Sequence, residues 1–155
     1  MKRSYPLSKR ELGRRAKVPV IACGVALIRR DREFLIAQRN ADDTFGSFWE
    51  FPGGKRMEGE SFENCVVREV AEELGVKVSV ETKFMELRKK YANREMRLHF
   101  YLCSHESGEP RPIECQKVQW TDVMRLKEFK FPPANDIVID KLIDVILRSP
   151  QATSG

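Results

Sequence analysis

From Val20 to Ile28 the chain is apolar without a break, the pattern of a strand buried on both faces. Arg30-Asp31-Arg32 reads as a polar turn, and Glu33 to Gln38 returns as a partner strand. Asn40 to Gly46 has loop composition. Phe48-Trp49-Glu50-Phe51 alternates until Pro52-Gly53-Gly54 interrupts it. The period then changes: Phe62, Val66, Val67, Val70, Ala71 and Leu74 recur at helical spacing, and Gly75 is placed to end that helix. Val76 to Leu87 and Met96 to Cys103 predict two more strands joined by a turn over Tyr91 to Glu95, followed by a loop from His105 to Glu114 and a short strand over Val118 to Trp120. Met124 to Phe129 predicts a short helix. After Phe131-Pro132-Pro133, the positions Ile137, Ile139, Leu142, Ile143, Ile146 and Leu147 make an amphipathic one. The elements predict a one-domain α/β protein with mixed strands over residues 18–148, a leader over 1–17 and a frayed tail over 149–155.

Composition narrows the class. At 155 residues, with 41% hydrophobic and 33% charged positions, the chain has the make-up of a soluble globular domain. No apolar run approaches the ~20 residues that a membrane span requires. The formal charge of +5 suggests a polyanionic partner until it is partitioned. Residues 1–17 carry seven bases (Lys2, Arg3, Lys9, Arg10, Arg14, Arg15, Lys17) against Glu11, and the rest has 21 bases against 22 acids. The leader lacks the apolar stretch of a secretory signal. Its Arg-rich, acid-poor character also suits a transit peptide, but Pro6 and Gly13 interrupt its weak amphipathicity. The readings that remain are a solvated basic segment and an arm that attracts nucleic acid or phosphate. Cys23, Cys65, Cys103 and Cys115 are widely spaced, and only His99 and His105 could join them. Reduced thiols in a cytoplasmic protein therefore fit better than zinc or disulfides, with Cys23, Cys65 and Cys103 expected in the core.

The chemistry lies in the acids. On a helix Glu69, Glu72 and Glu73 are related by steps of three and four and project together, away from the apolar set. Crowded carboxylates resist ionisation unless a cation neutralises them, and an all-oxygen, highly charged donor set suits Mg²⁺ or Mn²⁺. Arg68 can offset some of the repulsion or orient a carboxylate. A merely solvated acidic face would account for the glutamates, but not for their clustering opposite a core face after a Gly-Gly loop.

Gly54, five residues, Glu60, seven residues, then Arg68-Glu69-Val70-Ala71-Glu72-Glu73-Leu74-Gly75-Val76 resembles the Nudix box at all nine of its defined positions. The resemblance implies an α/β/α sandwich with a mixed β-sheet between helices, and a hydrolase that cleaves X-linked diphosphates with divalent metal. It implies Glu69, Glu72 and Glu73 as metal ligands, with Glu69 also the first candidate for general base. Gly53 joins the metal site, where it and Gly54 permit close backbone approach. Arg68 enters the catalytic set as an orienting residue, with Glu60, Gly54 and Gly75 shaping the motif.

Beyond the box, the chain is similar to the MutT-type nucleoside triphosphate pyrophosphohydrolases over most of residues 19–147. Trp49 to Lys55 resembles their approach to the box, although Trp49 also reads as core packing. The stretch from Gly108 through Glu114 to Trp120 resembles the loop that supplies a distal carboxylate. That likeness makes Glu114 a further metal ligand or base; an exposed loop glutamate is the alternative. Phe131-Pro132-Pro133-Ala134-Asn135 resembles the segment whose Asn reads a purine edge, a task suited to an amide with donor and acceptor side by side. Asn135 is equally placed to cap the last helix. Arg39 and Arg94 fall where this subfamily puts base- and ribose-contacting arginines, though each also reads as a surface cation. Tyr91 is either a base-stacking residue or a rim aromatic.

Three functions follow from these resemblances. The first is pyrophosphohydrolysis of nucleoside triphosphates, with 8-oxo-dGTP favoured and nucleotide-pool sanitation the role. The second keeps the chemistry but acts on another nucleotide pyrophosphate or on triphosphorylated RNA ends, with nucleic acid drawn in by residues 1–17. The third is a non-catalytic lesion-binding module, which retention of every box glutamate opposes. A nucleotide partner, no membrane, and a monomer or small homo-oligomer complete the expectation.

Overall fold

The computed structural model describes residues 17–148; the leader apart from Lys17, and the tail from 149 onward, lie outside them. The long apolar run is β1 (Val20–Arg30), which turns at Asp31 into β2 (Glu33–Gln38). Next come β3 (Trp49–Glu50), β4 (Gly53–Lys55), α1 (Phe62–Leu74), β5 (Lys77–Lys90), β6 (Glu95–Ser107) and β7 (Lys117–Asp122). Two 3₁₀ segments, Val123–Glu128 and Pro133–Asn135, lead into α2 (Asp136–Leu147).

The strands form one mixed sheet with the path β3-β2-β1-β6-β5; β7 lies along β2, and β4 pairs with β1. β1 and β6 are parallel from Val20↔Glu95 to Arg29↔Ser104, while the other pairs are antiparallel. β1 is covered on both faces, as its unbroken apolar run requires. Leu27 points into one core with Phe34, Phe100, Val138, Ile139, Leu142 and Ile146, under α2. Ala26 and Ile28 point into the other with Val66, Val70, Leu74 and Cys103, under α1. This is the α/β/α sandwich with a mixed sheet. Among the described residues no helix is long and apolar enough to cross a membrane.

Several expectations change. Pro52-Gly53-Gly54 is not simply a break: Gly53–Lys55 pairs with β1 through Val25↔Gly53, Gly24↔Gly54 and Cys23↔Lys55. Glycine reads as punctuation in sequence, but backbone hydrogen bonding needs no side chain. The strand after the hairpin runs to Ser107, three residues into the stretch read as loop. The expected helix over Met124–Phe129 is 3₁₀. Cys65 and Cys103 are buried, whereas Cys23 is only partly so.

Candidate active site

Helix α1 is fixed at both ends. The Ser61 hydroxyl accepts from the Asn64 N–H at 3.0 Å, and Gly75 closes the helix in the left-handed region at φ 69°. One face buries Cys65, Val66, Val70 and Leu74, which turns Glu69, Glu72 and Glu73 outward. The Arg68 guanidinium braces this acidic face. It donates to Glu60 at 2.6 and 2.9 Å, to Glu69 at 2.9 Å, to Glu72 at 3.2 Å and to the Lys55 carbonyl at 3.2 Å. Those bonds hold the Glu60 carboxyl down at about 2, hydrogen bonding from Arg68 being the main cause. They also raise the guanidinium's own proton affinity. Gly54 lies against Glu69 so closely that an added Cβ would overlap its carboxylate. At Gly53 a Cβ would collide with the Gly24 carbonyl across the β1–β4 pair.

Glu73 sits differently from its neighbours. Burial pushes its carboxyl up to about 9, with further contributions from the facing carboxylates of Glu50, Glu69 and Glu114. The loop after β6 brings Glu114 there. The Arg111 N–H donates to the Leu74 carbonyl at 2.9 Å and the Ile113 N–H to the Glu73 carbonyl at 3.2 Å, while Asn40 donates to the Glu114 carbonyl at 3.3 Å. Glu114 itself is exposed.

A cleft of about 390 Å³ opens beside this centre. Its walls include Arg39, Glu50, Gly53, Gly54, Tyr91, Arg94 and Asn135, with Cys23, Val25, Leu98 and Phe100 as an apolar floor. All four residues expected to contact substrate therefore face one space. Arg94 lies over the Tyr91 ring at 4.3 Å. Arg39 is not a free surface cation, because it donates to Glu50 at 2.7 Å and to the Thr44 carbonyl at 2.8 Å. Asn135 stands at the N-cap position of α2 without a side-chain cap bond; its Nδ2 donates to the Pro132 carbonyl at 3.3 Å. Trp49 packs with Phe129, ring centroids 5.1 Å apart, against the core under α2.

Sequence reasoning missed Glu50, which links the cleft to the carboxylate centre. Its carboxyl is raised by burial against the lowering influence of Arg39. The alternation of Phe48 to Phe51 carried the signal, because it sets Glu50 opposite Trp49 and Phe51. Cys23 was likewise missed as a cleft residue.

The donor set fits a divalent cation. The facing carboxylates of Glu50, Glu69 and Glu114 add to the raised proton affinity of Glu73, a crowding that a cation relieves, and a Cβ at Gly54 would displace the Glu69 carboxylate. Among the described residues no three His, Cys, Asp or Glu side chains converge as a ready-made cage. Arg68 instead holds Glu69 and Glu72, acting as their counter-cation.

Residues 18–142 match the family model described as the NUDIX domain. The chain belongs to the Nudix hydrolase family and is a hydrolase of that class; the family generally requires a divalent metal. The chain is 39% identical over 119 residues to an Escherichia coli 8-oxo-dGTP diphosphatase, covering 76% of this chain and 92% of that protein. It is 31% identical over 110 residues to an Escherichia coli CTP pyrophosphohydrolase, covering 71% and 82%. The solution structure of the E. coli ORF135 protein superposes with a TM-score of 0.74 at 26% identity, covering 86% of this chain and 95% of that one.

Proposed function

We propose that this chain is a cytoplasmic nucleoside triphosphate pyrophosphohydrolase that uses Mg²⁺, with Mn²⁺ as substitute, and favours 8-oxo-dGTP. The observation that carries the reading is the continuity of one cleft, from Asn135, Tyr91 and Arg94 to Gly53 and Gly54 beside Glu69. Its volume suits a single nucleotide. Glu69, Glu72, Glu73 and Glu114, with the backbone at Gly53, are the groups that would hold the ion. Once bound, the ion supplies a water of lowered pKa and offsets charge on the phosphoryl oxygens. Glu69 takes the proton as water attacks one phosphorus of the α–β anhydride. The bond from that phosphorus to the α–β bridging oxygen breaks, leaving nucleoside monophosphate and pyrophosphate. Arg68 keeps Glu69 aimed, with Glu60 as its anchor.

Base choice rests with Asn135. One Nδ2 hydrogen is committed to Pro132, leaving Oδ1 as an acceptor and the second N–H as a donor. An 8-oxopurine carries hydrogen on N7 and can donate to Oδ1, while its O6 accepts the N–H. Unoxidised guanine presents an acceptor at N7, so two acceptors would face each other. An unmade bond of this kind costs about 1–3 kcal/mol, or roughly 5- to 150-fold in rate. Turnover of 8-oxo-dGTP against dGTP with Mg²⁺ tests the reading, and a ratio near one removes the sanitising role. The likeness to a CTP pyrophosphohydrolase supports CTP as the competing substrate, so a CTP preference in the same assay would replace the purine assignment.

A further inference from the structure

The loop that carries Glu114 is fastened on two sides, and the second fastening serves no step described above. On one side the Arg111 and Ile113 N–H groups donate to the Leu74 and Glu73 carbonyls at the end of α1. On the other, the loop is tied to β2 and the turn that follows it. The Asn40 amide donates to the Glu114 carbonyl at 3.3 Å, and the Gln116 N–H donates to the Gln38 carbonyl at 2.9 Å. The Gln116 side chain completes the tie: its Nε2 donates to the Arg39 carbonyl at 2.8 Å and to the Ser47 hydroxyl at 3.0 Å. A carbonyl can only accept, so the amide nitrogen has to face this turn, and both of its hydrogens are used there.

The turn is strained where Gln116 holds it. Phe45 and Ser47 have φ of 55° and 65°, in the left-handed region that residues other than glycine seldom adopt. Such a conformation persists where several contacts over-determine it. Three hold Ser47: its N–H donates to the Arg39 carbonyl at 3.2 Å, its carbonyl accepts from the Gln38 amide at 3.1 Å, and its hydroxyl accepts from Gln116. The same turn builds the cleft, because Arg39, Thr44 and Phe45 form part of its wall. The Arg39 side chain donates to the Thr44 carbonyl and to Glu50, one of the carboxylates that face Glu73. Gln116, which is exposed and does not line the cleft, thus bridges the loop that brings in Glu114 and the wall that presents Arg39.

We infer that Gln116 is a positioning residue that sets the Glu114 loop against the Arg39 wall, so that losing its amide weakens metal and nucleotide binding together. This role rests on Glu114 holding the ion and Arg39 meeting the nucleotide, as in the function proposed above. Both amide hydrogens of Gln116 are spent on the turn, so its effect passes through those two residues. A shared fastening of this kind couples two sites that bind different partners.

The test compares the full chain with Gln116→Met, which keeps the side chain's length and removes both donors. Mg²⁺ binding is read without nucleotide, from the rise in Tm across an Mg²⁺ titration. Nucleotide binding is read by calorimetry with 8-oxo-dGMP in saturating Mg²⁺, or with CMP where CTP is the better substrate. Loss of the two hydrogen bonds should raise both apparent Kd values about three- to tenfold. The double variant Gln116→Met/Glu114→Gln should bind Mg²⁺ no more weakly than Glu114→Gln alone, because the route through Glu114 is already cut. A lower metal-free Tm with both constants unchanged makes Gln116 a structural brace and overturns the inference. A change in only one constant, or a further loss of about threefold in the double variant, also overturns it. No nucleotide turnover by the parent contradicts the hydrolase reading instead, and the two binding constants still decide the role of Gln116.

Discussion

A Cβ at position 54 would overlap the Glu69 carboxylate, so any larger residue there must push that side chain aside. Gly54→Ala should cut kcat by at least about 100-fold, the scale of a misplaced general base, while circular dichroism stays that of the parent. Full activity in that variant would break the link between the loop and the carboxylate. In the proposed function Asn135 sets the base preference. Asn135→Ala should bring the kcat/KM values for 8-oxo-dGTP and dGTP to within a few-fold of each other, mainly by lowering the former. The box residues were legible because their spacing alone defines the pattern. Glu50 was not, because its importance comes from proximity to Glu73 and Arg39, contacts made between residues distant in sequence. Asn135 was legible as a position at the start of α2, but its bond to the Pro132 carbonyl in place of a side-chain cap depends on a turn geometry that no spacing declares.

At the scale of elements, α1 could be read almost whole, since a helix with one apolar and one acidic face declares both in its period. Its brace could be read only as an orienting role for Arg68, without the partners it finds off the helix. Arg68 reaches back to Glu60 and the Lys55 carbonyl as well as along its own helix, and a planar fork with several donors is what makes that possible. Arg68→Lys keeps the charge but loses the fork. We expect kcat to fall about 10- to 100-fold, with a stability loss of about 1 kcal/mol in urea unfolding. An unchanged kcat would show that Glu69 holds its position unaided. β4 escaped the sequence reading for the opposite reason. Three residues rich in glycine carry no hydrophobic signal, and only pairing to β1 makes them a strand.

The whole molecule places two chemistries on one sheet: the acidic helix packs on one face, and the cleft opens on the other above Cys23, Val25, Leu98 and Phe100. The two meet where β4 lies beside β1 and at Glu50 on β3. The arrangement has a cost in metal-free protein. Glu73 holds its proton up to about 9 against an ordinary 4.5, so the native state binds that proton more tightly than the unfolded chain. Stability from this group is complete below the ordinary value and is lost as pH rises toward 9. The metal-free Tm should therefore decline across that window, added Mg²⁺ should restore it, and Glu73→Gln should flatten the decline while abolishing most activity. A metal-free Tm that rises with pH over the same range would contradict the crowding of carboxylates.

The most direct measurement of the central claim is product identification by phosphorus NMR for 8-oxo-dGTP with Mg²⁺, run beside Glu69→Gln. Nucleoside monophosphate and pyrophosphate are expected from the parent, and a rate lower by at least about 100-fold in the variant. Release of inorganic phosphate with nucleoside diphosphate, or undiminished turnover by Glu69→Gln, would contradict it.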